Sequence, residues 1–475
     1  MRRSSLACGG AAKAAVALSA ALVAGCSLAP AYQRPAAPVP AAWPQGPSYA
    51  APAAGPQASS IAWHAFFGDP KLQAVLKEML AQNRDLRVAV ANIEAARASF
   101  HVQRADLFPD VTANASGSKA RLAPSQTGLP APAVERAYAA SIGFSAYELD
   151  LFGRIRSLTT AAQEQYFATE EARRSVQTSL IAEAASDYYN LAADLDLLRV
   201  AQETYASQKA SLDIIRGRFD HGEASMLEVR QAETSVEQAR GDIAQFTSQA
   251  AQDRNALELV VGAPVPDALL PAGLPARPPV MTELPAGLSS TVLLQRPDVL
   301  QSEHQLKAAN ADIGAARAAF FPTISLAASL GQASPALNAL FAGASRTWSY
   351  GPSGSLPIFA GGRNVAGLQG ARAQRDAAVA QYEKAIQTAF REVADALARR
   401  GTIGEQVAAD TALQTSAADA LRLETARYDV GAEPYLNVLI AQRTLYSAQQ
   451  TLISTRLVEI TNAVSLYRAL GGGVL

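Results

Sequence analysis

Tyr138-Ala139-Ala140-Ser141-Ile142-Gly143-Phe144-Ser145-Ala146 reads as a strand with two unlike faces. Tyr138, Ala140, Ile142, Phe144 and Ala146 alternate with Ala139, Ser141, Gly143 and Ser145. Period two sends each set to one side of a strand. Upstream, Val111, Ala113, Ala115 and Gly117 alternate with Thr112, Asn114, Ser116 and Ser118. Downstream, Ile324, Leu326, Ala328 and Leu330 alternate with Thr323, Ser325, Ala327 and Ser329, and then Trp348, Tyr350, Leu356 and Ile358 oppose Ser349, Gly351, Ser353 and Ser355. Each strand has an apolar or small face with aromatics, and a face of Ser, Thr, Asn and Gly almost without charge.

A half-buried soluble sheet shows the same alternation. Two features favour a membrane wall. Strands of about 9–11 residues suit a tilted crossing, and the connections 119–136 and 332–346 are long and rich in small residues and Pro, like external loops. The pattern is that of a barrel with lipid outside and water inside. It puts Thr112, Asn114, Ser141, Ser145, Ser325 and Ser353 on the lumen side. Strands are expected at about 110–118, 137–151, 323–331 and 347–359. Pro352 breaks the donor ladder of the fourth, which predicts a bulge or irregular spot there. Four strands cannot close a barrel, since membrane barrels need about eight. Open edges in lipid would cost several kcal/mol per unpaired amide. If the strands span, several chains must share one barrel, and three chains would supply twelve strands.

From Arg154 to Arg216 there is no Gly and no Pro. At about 1.5 Å per residue such a helix is roughly 95 Å long. Leu191, Leu195, Leu198, Tyr205 and Leu212 recur at coiled-coil spacing, interrupted by Gln202 and Lys209. A second seam runs Val236, Ile243, Ala250, Leu257, seven residues apart, with counterparts Leu445, Leu452, Glu459 and Leu466. Helices are expected at about 154–217, 224–261, 364–430 and 434–470. Gly401 and Gly404 predict a non-helical or bent region in the third.

The chain is two copies of one unit. Ala105, Phe108-Pro109 and Val111 match Ala318, Phe321-Pro322 and Ile324. Arg218-Phe219-Asp220-x-Gly222 matches Arg427-Tyr428-Asp429-x-Gly431, and that offset persists through Leu227/Leu436 to Gly262/Gly471. Asp220-His221-Gly222-Glu223 and Asp429-Val430-Gly431-Ala432-Glu433-Pro434 are helix–helix turns in which Gly supplies positive φ. If the strands mark one end, these turns mark the other.

The N-terminus has three cations (Arg2, Arg3, Lys13), an Ala/Val/Leu run, and Leu22-Val23-Ala24-Gly25-Cys26. This describes a secretory signal peptide. Its ending resembles a bacterial lipobox, in which Cys26 is acylated, and Ser27 after it favours outer-membrane sorting. Cys8 leaves with the signal, so the mature chain keeps one cysteine and forms no internal disulfide. Four scattered histidines show no metal-ligand spacing. Removing three cations from a net charge of −1 leaves −4, which argues against nucleic-acid binding. There is no P-loop, nucleophile elbow or paired histidine, so no enzyme is expected. The mature chain has no apolar run of about 18 residues.

Several stretches resemble the TolC-like outer-membrane efflux proteins, closest to OprM-type lipoprotein channels of resistance-nodulation-division pumps. They include Trp63-x-x-Phe66-Phe67-x-Asp69-Pro70, Asn83-x-Asp85-Leu86, Glu148-x-Asp150-x-Phe152-Gly153-Arg154, Leu293-Leu294-Gln295-Arg296-Pro297-Asp298, Phe320-Phe321-Pro322 and Pro357-Ile358-Phe359-x-Gly361-Gly362-Arg363. The resemblance spans essentially the whole mature chain. It implies an α+β membrane protein: a homotrimer with a 12-stranded barrel, continued by a coiled-coil periplasmic barrel and ringed by an equatorial belt. It also implies docking to a periplasmic adaptor and a proton-driven inner-membrane transporter. The implied division is a signal peptide (1–25), an anchored N-terminal segment with equatorial region (26–80), two repeats (81–262 and 291–475) and a linker (263–290). A periplasmic gate maps to Arg427, Tyr428, Leu436 and Ile440, with adaptor docking at the Gly222 and Gly431 tips. Leu436 would form an apolar ring, and Arg427 and Tyr428 would tie neighbouring helices shut. Relatives carry Asp where Ile440 stands, so a more apolar gate with weaker divalent-cation block is expected. The alternatives are a channel for one-step (type I) protein secretion and a structural coiled-coil lipoprotein. The lipid anchor favours small-molecule efflux over the first, and the second needs no alternating strands.

Overall fold

The computed structural model describes residues 27–49, 61–128, 130–281 and 289–472. The signal peptide and Cys26 lie outside them. The labelled elements are α1 (Pro70–Gln82), α2 (Arg84–Ala105), β1 (Thr112–Leu122), β2 (Ala133–Leu149), α3 (Arg154–Asp220), α4 (Met226–Val261), α5 (Pro297–Ala318), β3 (Thr323–Ser334), β4 (Arg346–Ser355), α6 (Arg363–Asp429) and α7 (Tyr435–Ala469). Two compact units result, each drawn from three chain segments, so the units cut across the two sequence copies.

The first unit (1–36, 92–169 and 302–382) holds the sheet. Its strands run in the order β1-β2-β3-β4, all antiparallel. The step from β2 to α3 is built by Glu148-x-Asp150-x-Phe152-Gly153-Arg154. Asp150 caps the helix, accepting from the backbone N–H of Ile155 (3.2 Å) and Arg156 (2.9 Å). Gly153 takes φ +74°, and Arg154 returns a fork to Glu148 at 2.9 and 2.6 Å. Phe152 stacks on Phe321 with ring centroids 4.8 Å apart, joining the two copies. The segment directly after Cys26 is strapped along α5. Tyr32 and Arg34 both donate to the buried Glu303 (3.0, 2.9 and 2.6 Å), and Arg317 donates to the Leu28 carbonyl at 2.9 Å.

The sheet differs from expectation in its strand ends, since β1 runs on to Leu122 and β4 stops at Ser355, short of Leu356 and Ile358, and in where its irregularity lies. Register through Pro352 is continuous, with Leu326 opposite it. The irregularity lies instead in β2, between Phe144 and Tyr147. β4 is an edge of the chain's own sheet, where proline is tolerated once its nitrogen faces away from the ladder.

The second unit (37–91, 170–301 and 383–475) is a helical assembly. Phe66 stacks on Tyr467 at 4.1 Å, and the Tyr467 hydroxyl donates to the Ile61 carbonyl at 2.5 Å. Leu72, Leu76 and Met79 of α1 are fully buried. Asn83 caps α2 through the N–H of Leu86 (2.8 Å) and also donates to the Val260 carbonyl (2.6 Å). Gly262, at φ +79°, ends α4 where an added Cβ would sit 2.7 Å from the Gln82 carbonyl oxygen. Arg296 is buried at a helix junction. It forks onto Asp298 (2.9 and 2.7 Å), reaches Glu392 (3.0 Å), and caps α7 at the Ala469 carbonyl (2.7 Å). Pro279 and Val280 are tied to the N-terminal segment, with Gly68 donating to the Pro279 carbonyl and Phe67 bridging Val280.

The helix seams are as the heptads imply. Leu191, Leu212, Val236, Ala250, Leu257, Leu452 and Leu466 are buried, Leu195, Leu198, Tyr205, Ile243, Leu445 and Glu459 are half-buried, and Gln202 and Lys209 are exposed. The expected break at Gly401 and Gly404 is absent. α6 is one helix of 67 residues through both. Each interior Gly costs about 1 kcal/mol against Ala. Packing of Leu397 and Ile403, both buried, outweighs that.

Candidate functional site: a two-faced sheet and a double helix turn

Residues directly opposite in a ladder share a face. Thr112 pairs with Gly143, which pairs with Ser329, which pairs with Ser349. Asn114 pairs with Ser141, Ser141 with Gly331, and Gly331 with Thr347. Glu148, Ser325 and Ser353 form a third row. Thr112, Asn114, Ser141, Ser325 and Ser353 therefore lie on one face, rich in hydroxyls. Ser329 and Ser349 join there by an O–H···O bond of 2.7 Å. Ile142, Leu330 and Trp348 form a row on the opposite face, followed by Phe144, Ala328 and Tyr350. Ser145 has no rung partner: with Ala146 it stands opposite Ala327, between the Phe144–Ala328 and Tyr147–Leu326 pairs. It sits in the β2 irregularity, outside the ladder, and lines a surface cavity of about 400 Å³ with Glu148 and Arg154.

In the second unit, α3–α4 and α6–α7 end in matching turns. Gly222 and Gly431 both take φ +75°. Glu223 N–H donates to the Arg218 carbonyl (2.8 Å), and Ala432 N–H to the Arg427 carbonyl (2.9 Å), closing equivalent Schellman loops. Ser225 and Glu228 add a capping box to α4. Leu212, Ile215, Val229, Val236, Tyr435, Val438 and Leu439 bury a shared apolar core beneath the turns.

Leu436 and Ile440 do not join that core. They are 46% and 53% exposed, one turn apart on the other side of α7. Within the chain, Leu436 is not a helix-packing leucine. Its repeat-mate Leu227 is 66% exposed at the equivalent place on α4. Tyr428 is half-buried and joins the two copies: its hydroxyl accepts from Arg218 Nη1 at 2.7 Å, and the guanidinium lies 5.1 Å from its ring centre. Arg427 bridges its own turn to Glu433, which also accepts from Asn437 Nδ2 at 3.0 Å. Arg218 and Glu433 were not among the expected gate residues. The repeat held the signal for Arg218, which aligns with Arg427. Within the chain, Arg427 holds its own loop.

Higher on the helices, burial and contact with Asp253 push the Asp194 carboxyl up to about 7. Burial, with Glu183 and Asp253 nearby, pushes Asp187 up to about 6. No group of three or more potential metal ligands occurs among the described residues, and no described helix is long and apolar enough to cross a membrane.

A sheet with one hydroxyl face and one lipid-compatible face, carried with 67-residue helices, defines a subunit of an outer-membrane channel. The chain belongs to the outer membrane efflux protein family, whose model matches residues 75–263 and 288–472. The two matched stretches correspond to the two sequence copies. It is similar to the toluene efflux pump outer membrane protein TtgC of Pseudomonas putida, at 47% identity over 460 residues, 96% of this chain and 95% of that protein. It is similar to the outer membrane protein OprJ of Pseudomonas aeruginosa, at 41% identity over 97% of this chain and 96% of that one. Among solved structures it resembles the open state of the Neisseria gonorrhoeae MtrE outer membrane channel. The TM-score is 0.86 and the identity 37%, over 94% of this chain and 99% of that one.

Proposed function

We propose that this chain is the outer-membrane duct of a tripartite efflux pump of the resistance-nodulation-division type, passing small amphiphilic compounds to the exterior. One observation carries it: the register puts Thr112, Asn114, Ser141, Ser325 and Ser353 on a single face and Ile142, Phe144, Trp348 and Tyr350 on the other. Water and lipid are the two media that such faces fit. The open β1 and β4 edges support a homotrimer, because a shared barrel pairs every edge. Cys26 carries the acyl anchor, and the strap of Tyr32 and Arg34 on Glu303 would hold the residues after it against the protein. No cofactor beyond that covalent lipid is required, and no catalysis. The Gly222 and Gly431 turns meet the periplasmic adaptor. Leu436 and Ile440 narrow the mouth as apolar surfaces turned away from the chain's own core. With Ile440 in place of an acid, the mouth offers divalent cations no carboxylate at that position.

The test is planar-bilayer recording of the purified protein, with gene deletion in the native host. Discrete single-channel steps, drug hypersensitivity on deletion and copurification of an adaptor are expected. A monomer that never conducts refutes the reading.

A further inference from the structure

The apolar sheet face changes character toward its loop end. The strand ends at Thr112, Leu149, Thr323 and Ser355 adjoin helices, so the connections 123–132 and 335–345 lie at the other end. Climbing that way, the apolar face presents Ile142, Leu330 and Trp348, then Arg346 beside Gln332, then Tyr138 opposite Gly117 and Ser334. Above them it presents Lys119 opposite Arg136, then Arg121 opposite Val134. Four cations gather on this one face, and no acid of the four strands shares its loop end. The nearest carboxylate in sequence, Glu135, points to the hydroxyl face by its register with Ala120. All four cations are exposed, and among the described residues none has a carboxylate within ion-pairing distance.

Lys119 and Arg136 are direct cross-strand partners. Like charges so placed destabilise a sheet. An uncompensated pair at the edge of an apolar wall calls for an anion supplied from outside the chain. The order apolar band, aromatic residues, cations is that of a lipid-facing wall reaching the headgroup layer. Tyr138 is held in that layer by Gly117, where an added Cβ would come within 3.2 Å of its ring. Arg346 lies four residues below the Lys119–Arg136 pair, about 13 Å along the strand. The cations therefore form two stations and not one point.

We propose that Lys119, Arg121, Arg136 and Arg346 form a site for a phosphorylated glycolipid headgroup of the outer leaflet. The proposal rests on the reading that this face meets lipid. The acidic surface of such lipids complements the cations, and the acyl chains would lie along Trp348, Leu330 and Ile142.

The experiment is native mass spectrometry of purified trimers exchanged into mixed micelles, with diphosphorylated lipid A as probe and its enzymatically dephosphorylated form as comparator. Wild-type trimers should retain the diphosphorylated lipid at least ten-fold better. The K119Q/R136Q variant should lose that preference, and R346Q should lower it. Charge-conserving K119R/R136K should keep it, which separates charge from misfolding, and E135Q on the opposite face should leave it unchanged. Equal retention of both lipids by the wild type overturns the proposal, as does full preference in K119Q/R136Q. Displacement of the lipid by millimolar inorganic phosphate overturns the lipid assignment. Conduction by wild-type trimers without lipid preference sinks this site alone. Failure to insert into bilayers at all sinks the channel reading beneath it.

Discussion

Replacing Tyr428 with Phe removes one hydroxyl and keeps the ring. The Phe ring still lies tilted against Tyr435 (centroids 5.3 Å apart) and beneath the Arg218 guanidinium, so the change isolates the 2.7 Å hydrogen bond. A hydrogen bond to a charged group contributes about 1.5–3 kcal/mol. Arg218 is 38% exposed, so solvent screening reduces this to about 1 kcal/mol per chain. The bond joins the α3–α4 turn to the α6–α7 turn, and any opening that separates the pairs must break it. In a trimer the three bonds sum to about 3 kcal/mol. At 1.4 kcal/mol per factor of ten, the open-to-closed ratio should rise roughly 100-fold. The assay is the open fraction of single channels in planar bilayers. R218Q should give a similar rise, and the double variant should exceed neither single change by more than about twofold, since both remove one interaction. An open fraction altered by less than about threefold, or additive effects in the double variant, would refute the reasoning.

Leu436→Gly should widen the mouth and increase uptake of bulky antibiotics in a pump-free host; unchanged uptake counts against the gate. Arg296→Met should destabilise by about 3 kcal/mol, because it removes the fork on Asp298, leaves Glu392 only its longer contact with Arg468 (3.7 Å) and uncaps the α7 terminus; a thermal shift below 1 °C contradicts this. Stability should also depend on pH. Asp194 binds its proton up to about pH 7 when folded, but only near pH 4 in an unfolded chain. The folded state thus holds more protons across that window, and its stability falls as pH rises from about 4 to 7. Asp187, raised to about 6, adds a fall of the same sign. D194N should flatten the profile, and thermal melts from pH 4 to 8 measure it.

Most of the sheet was legible because period two is a local property. The alternation of Ser141 and Ile142 already sorts the faces, and pairing only confirms which rows adjoin. The long helices were legible for a similar reason: no Gly or Pro interrupts Arg154 to Arg216. Both misreadings came from treating Gly and Pro as local breakers. Buried packing of Leu397 and Ile403 carries α6 through its glycines, and an edge position spares Pro352.

By itself, then, the sequence determined two unlike sheet faces, two matching copies, long helices and Gly-centred turns, all of which follow from periodicity and backbone freedom within a few residues. Tertiary structure alone decided that Tyr428 binds Arg218, that Arg427 closes its own loop on Glu433, that Leu436 turns away from the core, and that Lys119 faces Arg136. Those pairings join residues brought together by helix packing and strand register. Their partners are chosen by distance in space, which no local pattern encodes.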